Sequence, residues 1–120
     1  MSRILLVDDD PEIRELISMG LESAGFEVIM AENGAEGLEQ FNMETPDLIL
    51  TDIKMPEMDG IEFIKKVRGS DPNIPIIVSS GFAETQDLAT EIGANGFLSK
   101  PFRSKNLIDT IEQFLPPEEA

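Results

Sequence analysis

Three consecutive aspartates, Asp8, Asp9 and Asp10, follow the apolar run Ile4 to Val7, and a fourth, Asp52, follows the run that starts at Leu48. Carboxylates in this pattern suit two kinds of chemistry, nucleophilic attack by an aspartate and capture of a hard cation through oxygen. If the fold gathers them, like charges so close cannot all stay ionised without a compensating cation, and a divalent ion is the economical remedy. Cys and His are both absent. That excludes thiol catalysis, zinc fingers, Ser/His triads, histidine bases and ligands, and a phosphohistidine of the chain's own. Oxygen-only ligands with few carboxylates favour Mg²⁺ over Ca²⁺ or zinc, with Mn²⁺ as a substitute. Asp10 has a simpler reading, because Pro11 follows it: a helix N-cap with proline at the first helical position. Asp8 and Asp9 would share that capping role unless the fold sets Asp52 opposite them.

The elements that must do this are legible as short apolar runs at Ile4 to Val7, Phe26 to Met30, Leu48 to Leu50, Ile76 to Val78 and Phe97 to Leu98. Between them apolar residues recur at helical spacing: Ile13, Leu16, Ile17, Leu21 and Ala24; Ala35, Leu38 and Phe41; Ile61, Ile64 and Val67; Leu88, Ala89 and Ile92; Leu107, Ile108, Ile111, Phe114 and Leu115. Strand alternating with helix in this way predicts a (βα)5 α/β fold. Runs one, three and four are continuous, as strands covered on both faces require, whereas runs two and five are alternating or interrupted and read as edges. The expected architecture is a doubly wound, flavodoxin-like parallel sheet of five strands in the order 2-1-3-4-5, with right-handed crossovers. Ligands of such sheets bind beyond the carboxyl ends of the strands where the winding reverses, here between strands one and three. Asp8, Asp9 and Asp52 fall at that place. Asn33-Gly34 and Asp59-Gly60 are read as turns, and Gly25 and Gly69 as helix stops.

The 120 residues suit one domain, residues 1–115, with Pro116 to Ala120 as a tail or the start of a linker. Met1 directly before the first strand fits a native start, and the length suits a complete protein as well as an amino-terminal piece of a longer one. The formal charge is −15, and residues 1–60 hold 3 basic and 15 acidic side chains against 6 and 9 in residues 61–120. Such a balance repels phosphate backbones, so direct nucleic-acid binding is not expected. No apolar run approaches the ~18 residues of a membrane helix, and with neither Cys nor a secretory signal the cytoplasm is the default location.

The segments VDDDP after the first run, DIKMPEMDG after the third, VSSG after the fourth and KPF after the fifth closely resemble the receiver domain of bacterial two-component response regulators, over residues 3–115. The resemblance implies that Asp52 is the phosphoacceptor. It also implies that Mg²⁺ is held by Asp9, Asp52 and the backbone carbonyl of Lys54, with Asp8 acting mostly through water. An acyl phosphate adds about −1.5 to −2 charges to a crowded anionic place, so it needs a fixed cation and a hydroxyl donor. Lys100 and Ser80 fit, although alone Lys100 would read as a solvated charge and Ser80 as a turn residue. Receivers often have a cis bond at this Lys-Pro. Ser79 is expected to face away from Ser80. Phe97 stands where receivers place an aromatic switch residue that rotates once the Ser80 hydroxyl moves; the plainer alternative is an edge-strand core residue. Lys54 and Phe82 correspond to positions that tune acyl-phosphate lifetime, with Phe82 expected to restrict the attacking water.

The function implied is a phosphorylation-activated signalling switch that takes a phosphoryl group from a partner's phosphohistidine onto Asp52, remodels its fourth-helix to fifth-helix surface, and loses the group to water. It is mainly a switch, with self-catalysed phosphorylation and dephosphorylation. The expected partners are a histidine kinase or histidine phosphotransfer protein and an effector protein or output domain, with the chain a monomer or a weak phosphorylation-dependent dimer. A haloacid-dehalogenase-type phosphatase with Asp8 as nucleophile is the alternative, but its motif needs Thr or Val where Glu12 stands. A flavin carrier would want a hydroxyl-rich phosphate loop, which Asp8 to Asp10 oppose. A degenerate receiver used only as a binding surface would lack site residues that this chain has.

Overall fold

The structure, a computed structural model, describes residues 2–53, 55, 58–81 and 85–115. Strands and helices alternate as β1 (Arg3–Val7), α1 (Pro11–Ser23), β2 (Glu27–Ala31), α2 (Gly34–Glu44), β3 (Leu48–Asp52), α3 (Gly60–Ser70), β4 (Ile76–Ser80), α4 (Thr85–Glu91), β5 (Gly96–Ser99) and α5 (Ser104–Glu112). The five strands form one parallel sheet in the order β2-β1-β3-β4-β5, as the apolar patterning predicts. Leu48, Ile49 and Leu50 of β3 and Ile76, Ile77 and Val78 of β4 are fully buried, which explains their unbroken apolar runs. Each such side chain contributes about 1.5–3 kcal/mol through burial.

Strand alternation divides the core in two. Ile4 and Leu6 of β1 pack on one face with Leu50, Ile77, Ile17 and Leu21 of α1 and Leu107 and Ile111 of α5. Leu5 and Val7 pack on the other with Ile49, Ile76, Phe41 of α2 and Phe63, Ile64 and Val67 of α3. Helices on both faces free the carboxyl end of the sheet for a site. No helix among the described residues is long and apolar enough to cross a membrane.

Five local readings need correction. Asn33-Gly34 and Asp59-Gly60 are helix starts rather than free turns: Asn33 Oδ1 accepts from the Glu36 N–H at 2.8 Å, and Asp59 Oδ1 from the Glu62 N–H at 3.0 Å. Side-chain oxygens that satisfy orphan helix donors account for the same dipeptides that make good turns. Gly69 lies inside α3, which runs to Ser70 and is capped by Asp71. By contrast Gly25, with φ of 95°, does follow the end of α1. Leu16 is 69% exposed although it falls in the apolar spacing of α1. The residues Ile13, Ile17 and Leu21, four apart, face the sheet, and Leu16 lies to one side in an apolar groove lined also by Phe102 and Leu107. Leu88 of α4 is likewise 45% exposed.

Candidate functional site

Parallel register decides which side chains meet. Val7 pairs with Thr51 across β1 and β3, so the next residues, Asp8 and Asp52, leave the sheet side by side. One carboxylate oxygen from each of Asp8, Asp9 and Asp52 lies within 4.8 Å of the others. Asp8 is buried, Asp52 partly buried and Asp9 exposed. On the far side of β3, Asp52 pairs with Ser79, and Ser80 pairs with Ser99 of β5, directly before Lys100. The Lys100 N–H donates to the Ser80 carbonyl at 2.8 Å, which fixes the start of its loop. The Lys100-Pro101 bond is cis.

From there the Lys100 ammonium donates to Asp8 Oδ2 at 2.9 Å and to Asp52 Oδ2 at 3.0 Å. Burial works against the charged ammonium, but the hydrogen bonds and charges of the two aspartates outweigh it and leave its pKa raised above the ordinary lysine value. The second oxygen of each acid is also engaged. Asp8 Oδ1 accepts the Asp10 N–H at 3.0 Å, and Asp52 Oδ1 accepts the Ile53 N–H at 2.7 Å. Asp10 turns away from this cluster to cap α1, accepting from the Glu12 N–H at 2.9 Å.

Sequence reasoning assigned Lys100 to a phosphoryl group and left the carboxylates to a divalent ion alone. The structure adds that Lys100 already bridges two of them, one positive charge against three negative. Oxygen donors only, three of them carboxylates and with a net negative balance, fit a hard divalent cation. Residue Arg14 was missed: its Nη1 donates to the Asp8 carbonyl at 2.7 Å and ties α1 to the end of β1. The available signal was its rarity, for residues 1–60 contain only Arg3, Arg14 and Lys54 as basic residues.

Ser80 and Ser79 are both buried at the end of β4, and strand alternation sends their side chains to opposite faces. Phe97 of β5 pairs with Val78 and is half-buried against the core face that carries Val78 and Ala89. Lys54 and Phe82, the lifetime positions, and Pro116 to Ala120, the expected tail, lie outside the described residues. Asp8 is poorly placed as the nucleophile of the phosphatase alternative. It is 1% exposed, and both of its oxygens already accept hydrogen bonds.

Known proteins share this arrangement at the level of the whole chain. The family model described as "Response regulator receiver domain" matches residues 4–112. Transcriptional regulatory protein GlrR of Escherichia coli is 37% identical over 95% of the chain, which spans only 26% of GlrR. The CpxR homolog of Haemophilus influenzae is 43% identical over 96% of the chain, which spans 51% of that regulator. Response regulator receiver protein CpdR of Brucella abortus is 41% identical, and here the chain covers 98% of the relative. Among solved structures, the response regulator TrrA of Thermotoga maritima, in complex with Mg²⁺-BeF, superposes with a TM-score of 0.89 at 32% identity, covering 95% of this chain and 99% of TrrA. Relatives of such different lengths have in common the one unit that this chain contains. By sequence, by strand order and by the acids gathered at the end of its sheet, the chain belongs to the response regulator receiver domain family.

Proposed function

We propose that the chain is a phosphorylation-dependent signalling switch in which Asp52 accepts a phosphoryl group from a phosphohistidine of a partner. The observation that carries this is the bridging of Asp8 and Asp52 by Lys100 beside Asp9. Asp8, Asp9 and Asp52, with the Lys54 carbonyl expected from the family resemblance, would hold Mg²⁺. When bound, the cation neutralises carboxylate charge and the oxygens of the incoming phosphoryl group, so that an anionic nucleophile can approach.

A carboxylate oxygen of Asp52 then forms a bond to phosphorus while the phosphorus–nitrogen bond of the donor breaks, and the imidazole leaves with a proton. The Lys100 ammonium, already at Asp52, follows the negative charge onto the phosphoryl oxygens, where a fixed donor is worth most in a water-poor site. The Ser80 hydroxyl, at the carboxyl end of β4, donates to another phosphoryl oxygen. Its movement opens space for Phe97 to turn inward, which alters the surface of α4, β5 and α5 that an effector or an output domain reads. Hydrolysis reverses the bond: a water oxygen attacks phosphorus, the Asp52 carboxylate leaves, and a proton passes to solvent. The chain works as a monomer or a weak dimer favoured by phosphorylation.

Incubation with Mg²⁺ and acetyl phosphate tests the reading. The wild type gains one phosphoryl group by intact mass, and Asp52→Asn gains none. Equal incorporation in the variant would sink the assignment of the acceptor.

A further inference from the structure

The acceptor strand ends against backbone that leaves no room for a side chain, and two glycines occupy the places where one would intrude. Gly60, the first residue of α3, donates its N–H to the Ile53 carbonyl at 2.7 Å and closes the β3–α3 loop on itself. A Cβ on Gly60 would overlap the Asp52 carbonyl oxygen and lie 2.8 Å from Ile53 Cα. Gly34, the first residue of α2, donates to the Met58 carbonyl at 3.0 Å near the other end of that loop. There a Cβ would overlap the Met58 carbonyl oxygen and stand 2.9 Å from Met58 Cγ.

Neither neighbour can step aside. β3 is held between β1 and β4 with Leu48 to Thr51 fully buried, so displacement at Gly60 falls on Asp52 and Ile53. α2 is closely packed one turn on, where a Cβ on Gly37 would stand 3.1 Å from both Phe63 and Val7, so moving the helix away from Met58 would open that contact. Asp8, meanwhile, is fixed independently through the Ala31 carbonyl and Arg14. Displacement at Met58, two residues before Gly60, therefore reaches Asp52 and Ile53 through Gly60 and moves Asp52 relative to Asp8.

We propose that Gly60 and Gly34 are positioning residues for the site: their missing side chains let α3 and α2 start directly against the Asp52 and Met58 carbonyls, and this clamp sets Asp52 for the divalent cation. The proposal rests on the cation site of the proposed function and extends it to a helix, α2, that contributes none of the residues assigned to the site.

Titration calorimetry of Mg²⁺ into the unphosphorylated full chain tests it. Gly34→Ala should bind Mg²⁺ about tenfold more weakly than wild type, as loss of supporting contacts around a metal does. Gly37→Ala, a change on the same helix that crowds only the side chains of Phe63 and Val7, should keep wild-type affinity at a temperature where all variants are folded. The double variant Gly34→Ala/Met58→Ala should stay weak, because the obstacle is the Met58 carbonyl rather than its side chain. Wild-type affinity in Gly34→Ala, equal loss in Gly37→Ala, or recovery in the double variant would each overturn the clamp while leaving the cation site standing. No Mg²⁺ uptake by wild type would overturn both. If Gly34→Ala does not fold, hydrogen exchange of the wild type decides: the Gly34 and Gly60 amides should exchange more slowly with Mg²⁺ present, and unchanged rates would refute the clamp.

Discussion

Lys100 is held by two acids at once. Its ammonium is the direct partner of Asp8, which is 1% exposed, and of Asp52, whose side chain is 14% exposed. Replacement by the neutral, similarly long methionine removes the side-chain cation that pairs with both of these carboxylates. Breaking an ion pair at such burial costs about 2–4 kcal/mol, somewhat less than for a fully enclosed pair because Asp52 and Lys100 keep some water. In EDTA, urea unfolding of Lys100→Met should show that loss, and Mg²⁺ should stabilise the variant more than the wild type by restoring positive charge. The pH dependence has a definite sign. A lysine whose folded pKa is raised contributes stability that is complete below its unfolded value and disappears as pH climbs through the folded one. The gap between wild type and Lys100→Met should therefore be flat from about pH 7 to 9 and close only above about pH 10.5. A gap that narrows already near neutrality would mean that another group supplies the charge dependence.

The strands were easier to read than the helix boundaries, and the reasons are physical. Continuous apolar runs such as Ile76 to Val78 occur because both faces of a central strand are covered, and between Pro75 and Gly81 the segment is too short for a helix. From those runs followed the sheet order, the switch point, and the meeting of Asp8, Asp9 and Asp52 in space. Helix ends were ambiguous because one dipeptide serves two purposes: Asn33-Gly34 and Asp59-Gly60 have turn chemistry and cap chemistry alike, and only the following amide shows which is used. The exposure of Leu16 was illegible because spacing along α1 does not say how wide a stripe its neighbours cover. Arg14 stood out only by its rarity, and its contact was illegible because the partner is a backbone carbonyl, which every residue has. Gly69 tests the corrected boundary of α3. A Cβ there would meet nothing within 4 Å, and no unusual φ demands glycine. Gly69→Ala should raise stability by about 0.5–1 kcal/mol in urea unfolding, through lower chain entropy and better helix propensity. A loss of stability would restore Gly69 to the role of a helix stop.

At the scale of the whole molecule, a charge of −15 means that any added cation relieves self-repulsion, so stabilisation by salt is no proof of a site. Asp9 separates the two effects. It is exposed, so its charge supports little of the packing, yet its carboxylate lies within 4.8 Å of those of Asp8 and Asp52. In EDTA, Asp9→Asn should melt at the wild-type temperature or slightly above, since one of three crowded like charges is gone. Sodium chloride should raise both melting temperatures alike. Mg²⁺ at matched ionic strength should raise only the wild type: at tenfold over its Kd the linkage amounts to about 1.4 kcal/mol, or about 5 °C for a domain of this size. The comparison is cleanest with Mg²⁺ because a diffuse ion atmosphere scales with total charge, which the variant changes by one unit, whereas a site scales with its ligands, of which the variant loses one of three carboxylates. An equal Mg²⁺ shift in Asp9→Asn would assign the stabilisation to the acidic surface as a whole and leave Lys100 as the counter-charge that pairs with Asp8 and Asp52 at the end of the sheet.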